Sequence, residues 1–133
     1  MAFVLDASIS AVWALQDESS PLAELAASRL EEEIALVPPI WWYEVRNLLV
    51  VNERRNRMTA DDSGVFLELI ASYPIQIDPT EDEGSIFRFA RQYRLSFYDA
   101  AYLAVAERHR APLATLDKAL QTAALSAGVP LLV

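Results

Sequence analysis

Apolar and polar positions fall into two kinds of run that alternate along the chain. Short, nearly continuous apolar stretches read as strands: "AFVLDAS" at the start, "IALVPP" at 34–39, "YPIQIDP" at 73–79, "APLATLD" at 111–117 and "VPLLV" at 129–133. Longer stretches with apolar residues at helical spacing separate them: "SISAVWALQ", "PLAELAASRLEEE", "IWWYEVRNLLVVNERR", "ADDSGVFLELIAS", a segment ending near Tyr93, "RLSFYDAAYLAVAERH" at 94–109, and "KALQTAALSAG" closed by Gly128. Ser20 and Pro21 have the character of an N-cap and first helical position. Thr59 with Asp62, and Thr80 with Glu83, match the capping-box spacing. Strands alternating with helices predict a three-layer α/β/α arrangement. About five parallel strands form its central sheet, covered on both faces.

A sheet of this kind places its ligand sites beyond the carboxyl ends of its strands. Asp6 follows "AFVL" and Asp117 follows "LATL", so both acids are expected on that edge. Asp99 lies near the start of the helix that leads into the fourth strand, which brings it to the same edge. Glu44 shares a helical row with Ile40, Trp41, Leu48 and Val51. Taken singly, Asp6 and Asp117 also fit helix N-caps, and Ser96 with Asp99 fits a capping box. Glu44 has no capping explanation, and a carboxylate inside an apolar row needs a partner. Taken together, four acids on one edge would repel one another unless a cation neutralised them or their pKa values rose. Oxygen donors without histidine or cysteine nearby select Mg²⁺, with Mn²⁺ as a substitute, and Mg²⁺ suits phosphate-ester hydrolysis.

Composition narrows the reading. The 133 residues suit one domain, and 53% of them are hydrophobic. The chain has no cysteine, which removes disulfides and thiolate metal sites. No apolar run reaches membrane-spanning length and the N-terminus lacks a signal-peptide pattern, so a cytoplasmic location is expected. The formal net charge of −8 argues against binding nucleic acid by overall charge, though not against an acidic pocket that holds cations. Of the basic residues only Lys118 is not an arginine. Arg54, Arg55 and Arg57 cluster, as do Arg88, Arg91, Arg94, Arg108 and Arg110, and each taken singly reads as a solvated helix face or helix C-terminus. His109, between two arginines at a helix end, reads as an exposed residue favoured by the helix dipole.

At "VLDASIS", "WWYEVRNLL", "LSFYDAAYLAVA" and "LATLDKAL" the chain resembles the PIN-domain family, and in particular VapC-like ribonuclease toxins of type II toxin–antitoxin pairs. The resemblance runs through the whole chain and implies a single PIN domain over 1–133. It implies a magnesium-dependent endoribonuclease whose acidic site is Asp6, Glu44, Asp99 and Asp117. Asp6 and Asp99 would be the direct metal ligands. Glu44 and Asp117 would complete the cluster, hold waters or bind a second ion. Ser8 and Thr115 match small hydroxyl positions that support the acids. The implied partners are an RNA substrate, a small cognate antitoxin and a second copy in a homodimer, with "PPIWWYEV" as candidate surface. Trp41 and Trp42 are adjacent and cannot share one helix face. The alternative is a receiver-like Mg²⁺-binding signalling domain phosphorylated on Asp78, with Thr115 as its switch hydroxyl. That family needs a second acid beside Asp6, where this chain has Leu5 and Ala7.

Overall fold

A computed structural model describes residues 1–133. Seven helices and four strands follow one another in the expected order. The strands are β1 (Ala2–Leu5), β2 (Ile34–Val37), β3 (Ile75–Ile77) and β4 (Leu113–Ala114). The helices are α1 (Ala7–Ala14), α2 (Pro21–Arg29), α3 (Ile40–Arg54), α4 (Ala60–Ser72), α5 (Glu83–Tyr93), α6 (Phe97–His109) and α7 (Lys118–Ser126). All strand pairs are parallel and the order across the sheet is β3-β2-β1-β4.

The chain therefore builds outward from β1 through β2 to β3, then returns to the other side of β1. Right-handed crossovers put the helices of the outward run on one face and those of the return on the other. The packing agrees: α1 lies against α2 and α3, while α6 lies against α5, α7 and the strands β1, β2 and β4.

Burial explains why the central strands read as apolar runs. Phe3, Val4 and Leu5 are fully buried, as are Ala35 and Val37. The outer strand β3 departs from the pattern expected of two-sided burial, for Gln76 and Ile77 are exposed. The expected fifth strand is reduced to one parallel bridge, Leu113 to Leu131. Pro130 accepts the Leu113 amide through its carbonyl but has no amide to donate back to the fourth strand, which stops the ladder from extending in that direction.

Local signals were obeyed where the side chains had no rival partner. Ser20 accepts from the Ala23 amide with Pro21 in the first turn of α2. Thr59 and Asp62 form both bonds of their capping box. The expected box of Thr80 and Glu83 does not form. The Thr80 amide instead donates to Asp78 Oδ1 at 2.9 Å, and Asp82 caps α5 through the Ser85 amide. The helix thus starts later than the pattern predicts.

Candidate active site

Asp6 directly follows β1 and is only 6% exposed. It occupies the N-cap position of α1, yet its side chain makes no capping bond. Two hydroxyls hold the same oxygen instead: Ser8 Oγ donates to Asp6 Oδ2 at 2.6 Å, and Thr115 Oγ1 donates to it at 2.8 Å. Each hydroxyl also accepts a backbone amide, Leu116 N–H at Ser8 and Asp117 N–H at Thr115. A polar network thereby ties the end of β1 to the segment after β4, across the strand-order reversal. Both side-chain donors fall on Oδ2, so Oδ1 has none, while the backbone amides of Ser8 and Ala7 also lie near the carboxylate. Burial raises the Asp6 pKa, and the Ser8 and Thr115 bonds oppose that rise.

Asp99 sits in the first turn of α6, where its backbone amide donates to Ser96 Oγ at 3.0 Å. The reciprocal bond, in which the Asp99 carboxylate would accept the Ser96 amide and complete a capping box, is absent. Its carboxyl pKa is raised by burial, then by the charges of Asp6 and Asp117. Glu44 projects from α3 toward α6, and Tyr102 donates its hydroxyl to Glu44 Oε1 at 2.7 Å. Burial raises the Glu44 pKa, the nearby charges of Asp6 and Asp99 raise it further, and the Tyr102 bond offsets part of this. Asp117 lies three residues beyond the short β4 and does cap its helix, for Oδ1 accepts the Leu120 amide at 3.0 Å. The capping explanation thus holds for Asp117, fails for Asp6, and accounts for Ser96 but not for the Asp99 carboxylate.

The charge of Asp6 bears on both Glu44 and Asp99, Asp99 also bears on Glu44, and Asp117 bears on Asp99. No arginine, lysine or histidine pairs with any of the four; every ion pair lies elsewhere. Nor does any group of three or more acidic or histidine side chains stand arranged to hold a metal ion. The four acids influence one another's ionisation without forming a closed cage. The donor chemistry fits a hard cation that keeps several of its waters and takes one or two carboxylates directly. It does not fit an ion enclosed by protein ligands.

Tyr102 is the site residue that the sequence reading passed over. Its spacing of three from Asp99 placed it on the same helix face, which was the available signal. Asp78, the rival phosphoacceptor, is closed off. Arg108 Nη2 and His109 Nε2 both meet its Oδ2, at 2.6 and 2.7 Å, while Oδ1 takes the Thr80 amide. Burial alone would raise its pKa, but Arg108, Thr80 and His109 together hold the carboxyl well below the usual range. This is an ion-paired clamp rather than an acceptor open to phosphate, and it gives His109 a definite partner. Of the adjacent tryptophans, Trp41 is buried and donates Nε1 to Ser10 Oγ at 3.2 Å, while Trp42 is 44% exposed.

Known proteins agree with this architecture. A family model described as the PIN domain matches residues 3–125. Ribonuclease VapC3 of Pyrobaculum aerophilum is 32% identical over 123 residues, spanning 90% of this chain and 92% of its own. The crystal structure of PAE2754 from the same organism superposes with a TM-score of 0.70 at 25% identity, covering 92% of this chain and 87% of that one. With a parallel sheet whose order reverses at β1, and a family match across nearly its full length, the chain belongs to the PIN-domain family.

Proposed function

We propose that the chain is a Mg²⁺-dependent endoribonuclease, acting in the cytoplasm as the toxin of a toxin–antitoxin pair. The observation that carries this reading is that Asp6, held by Ser8 and Thr115 beyond the end of β1, lies near enough to Glu44 and Asp99 for its charge to bear on both, with no cationic side chain paired to any of them. Kinship with a protein named as a ribonuclease supports the reaction class. No helix is long and apolar enough to cross a membrane.

In this reading Asp6 and Asp99 would hold the ion, and Glu44 and Asp117 would complete the acidic cluster around it. A bound Mg²⁺ would offset the carboxylates' charge and favour the negative charge that develops on a phosphodiester under attack by water. Ser8 and Thr115 fix the Asp6 carboxylate in one orientation, which limits reorganisation during the reaction. Glu44, with its raised pKa, is suited to take up the proton that the attacking water releases. The phosphorus–oxygen bond to one ribose then breaks, and the departing oxygen is protonated from solvent.

A small antitoxin with a basic residue would quench the same pocket. A groove of about 460 Å³ includes Tyr98, the chain neighbour of Asp99, with Pro38, Pro39, Ile40, Ile86 and Phe97 as apolar walls and Glu81, Asp82 and Glu83 among its lining. Trp42 and Tyr43, 44% and 65% exposed, offer surface for that partner or for a second copy in a homodimer.

The decisive experiment incubates the purified chain with RNA, with and without Mg²⁺. Cleavage is expected with the ion and should cease with a chelator or in Asp6→Asn. Cleavage that persists in either case refutes the metal-dependent site.

A further inference from the structure

We infer that Tyr102 is a positioning residue for the acidic site: its phenol grips Glu44 Oε1 and leaves Oε2 as the oxygen open to an ion or its water. The inference rests on the proposed metal-dependent nuclease and assigns one of its parts. Tyr102 is fully buried in the interior of α6. A side chain that only filled this space would need no hydroxyl, because a buried hydroxyl costs free energy unless it is bonded. Its partner is a carboxylate 58 residues away on another helix, at a charge-assisted distance of 2.7 Å.

The choice of donor is informative. An arginine or lysine would hold Glu44 equally well but would cancel the charge that attracts a divalent ion. A phenol orients the carboxylate and leaves its charge in place. A phenol keeps its proton through neutral pH, so the Tyr102 hydroxyl donates to the carboxylate. Asp99 stands three residues earlier on the same face of α6. One helix face therefore presents one acid and secures another from α3, so that placing α6 sets both.

The test uses the full chain, freed of metal, as wild type and as Tyr102→Phe, which removes a single oxygen. Calorimetric titration with Mn²⁺ alone is expected to show an approximately tenfold weaker dissociation constant in the variant. The Mg²⁺ concentration giving half-maximal RNA cleavage should rise by a similar factor. In a Glu44→Gln background, adding Tyr102→Phe should weaken Mn²⁺ binding no further, because the two act through one bond. Equal Mn²⁺ affinity in Tyr102→Phe and wild type, or losses that simply add, overturns the assignment while leaving the nuclease reading intact. Wild type that takes up no Mn²⁺ overturns the nuclease reading itself. Should Tyr102→Phe fail to fold, Glu44→Asp withdraws the carboxylate from the phenol on the less buried side of the bond. Unchanged Mn²⁺ affinity there also overturns the inference.

Discussion

Replacing Thr115 by valine tests whether the acidic site is organised around an ionised Asp6. Valine preserves shape, and Thr115 is 1% exposed, so little of the effect can come from a cavity. The substitution removes the donor 2.8 Å from Asp6 Oδ2 and the acceptor of the Asp117 amide. A hydrogen bond to a charged group contributes about 1.5–3 kcal/mol. The stranded Asp117 amide is only partly buried and can turn to water, adding at most about 1 kcal/mol. The metal-free variant should therefore lose about 2–3 kcal/mol in urea unfolding near neutral pH.

The sign of the pH dependence follows from Asp6. Its folded pKa is raised above 3.8, so the folded chain takes up this proton more readily than the unfolded one. Stability from this group is greatest when Asp6 is protonated, and is lost as pH rises through the folded value. Removing Thr115 raises that value further, so the two proteins diverge with rising pH. Below 3.8, where Asp6 is increasingly protonated in both states, their difference should shrink towards the ~1 kcal/mol of a neutral hydrogen bond. Thr115→Ser, which keeps the hydroxyl, should forfeit only about 1 kcal/mol for its methyl group and show no added pH dependence. A Thr115→Val loss below about 0.5 kcal/mol, or one equal at both pH values, would refute the reasoning.

Two further outcomes probe the frame around the site. Asp78→Asn should cost about 2–3 kcal/mol near neutral pH, towards the lower end for a buried pair because Arg108 keeps Asp82 at 3.6 Å and some solvent. Since the Asp78 pKa is lowered, that stabilisation is complete above 3.8 and fades as the pH falls, so urea titrations of wild type and variant should converge in acid. The adjacent tryptophans should separate by burial: Trp41→Ala is expected to cost about 3–5 kcal/mol, and Trp42→Ala about 0.5 kcal/mol or less in the monomer. Equal losses in thermal unfolding would contradict the orientation of α3.

The sequence carried much of this by itself, because some information is local. Apolar runs and helical periods set the element order, and caps such as Ser20 and Thr59 act within one turn of chain. Four acids after strands or near helix starts were visible for the same reason: a parallel sheet collects such positions on one edge. Where a side chain had a choice of partners, local reading failed. The Thr80 amide went to Asp78, which moved the start of α5, and Asp78 turned inward to Arg108 and His109 from the end of α6. The fifth strand shrank to one bridge because strand length depends on donors across the ladder, which Pro130 interrupts.

Only the tertiary structure decided which acids cap helices and which face one another. Asp6 and Asp117 look alike in the sequence, each following an apolar run. One is gripped by hydroxyls from two chain segments and the other holds an amide of its own helix. The bond between Tyr102 and Glu44 joins residues 58 positions apart and has no local signature. Burial and charge coupling are properties of through-space distance, so they arise only once β1, α3 and α6 are packed together.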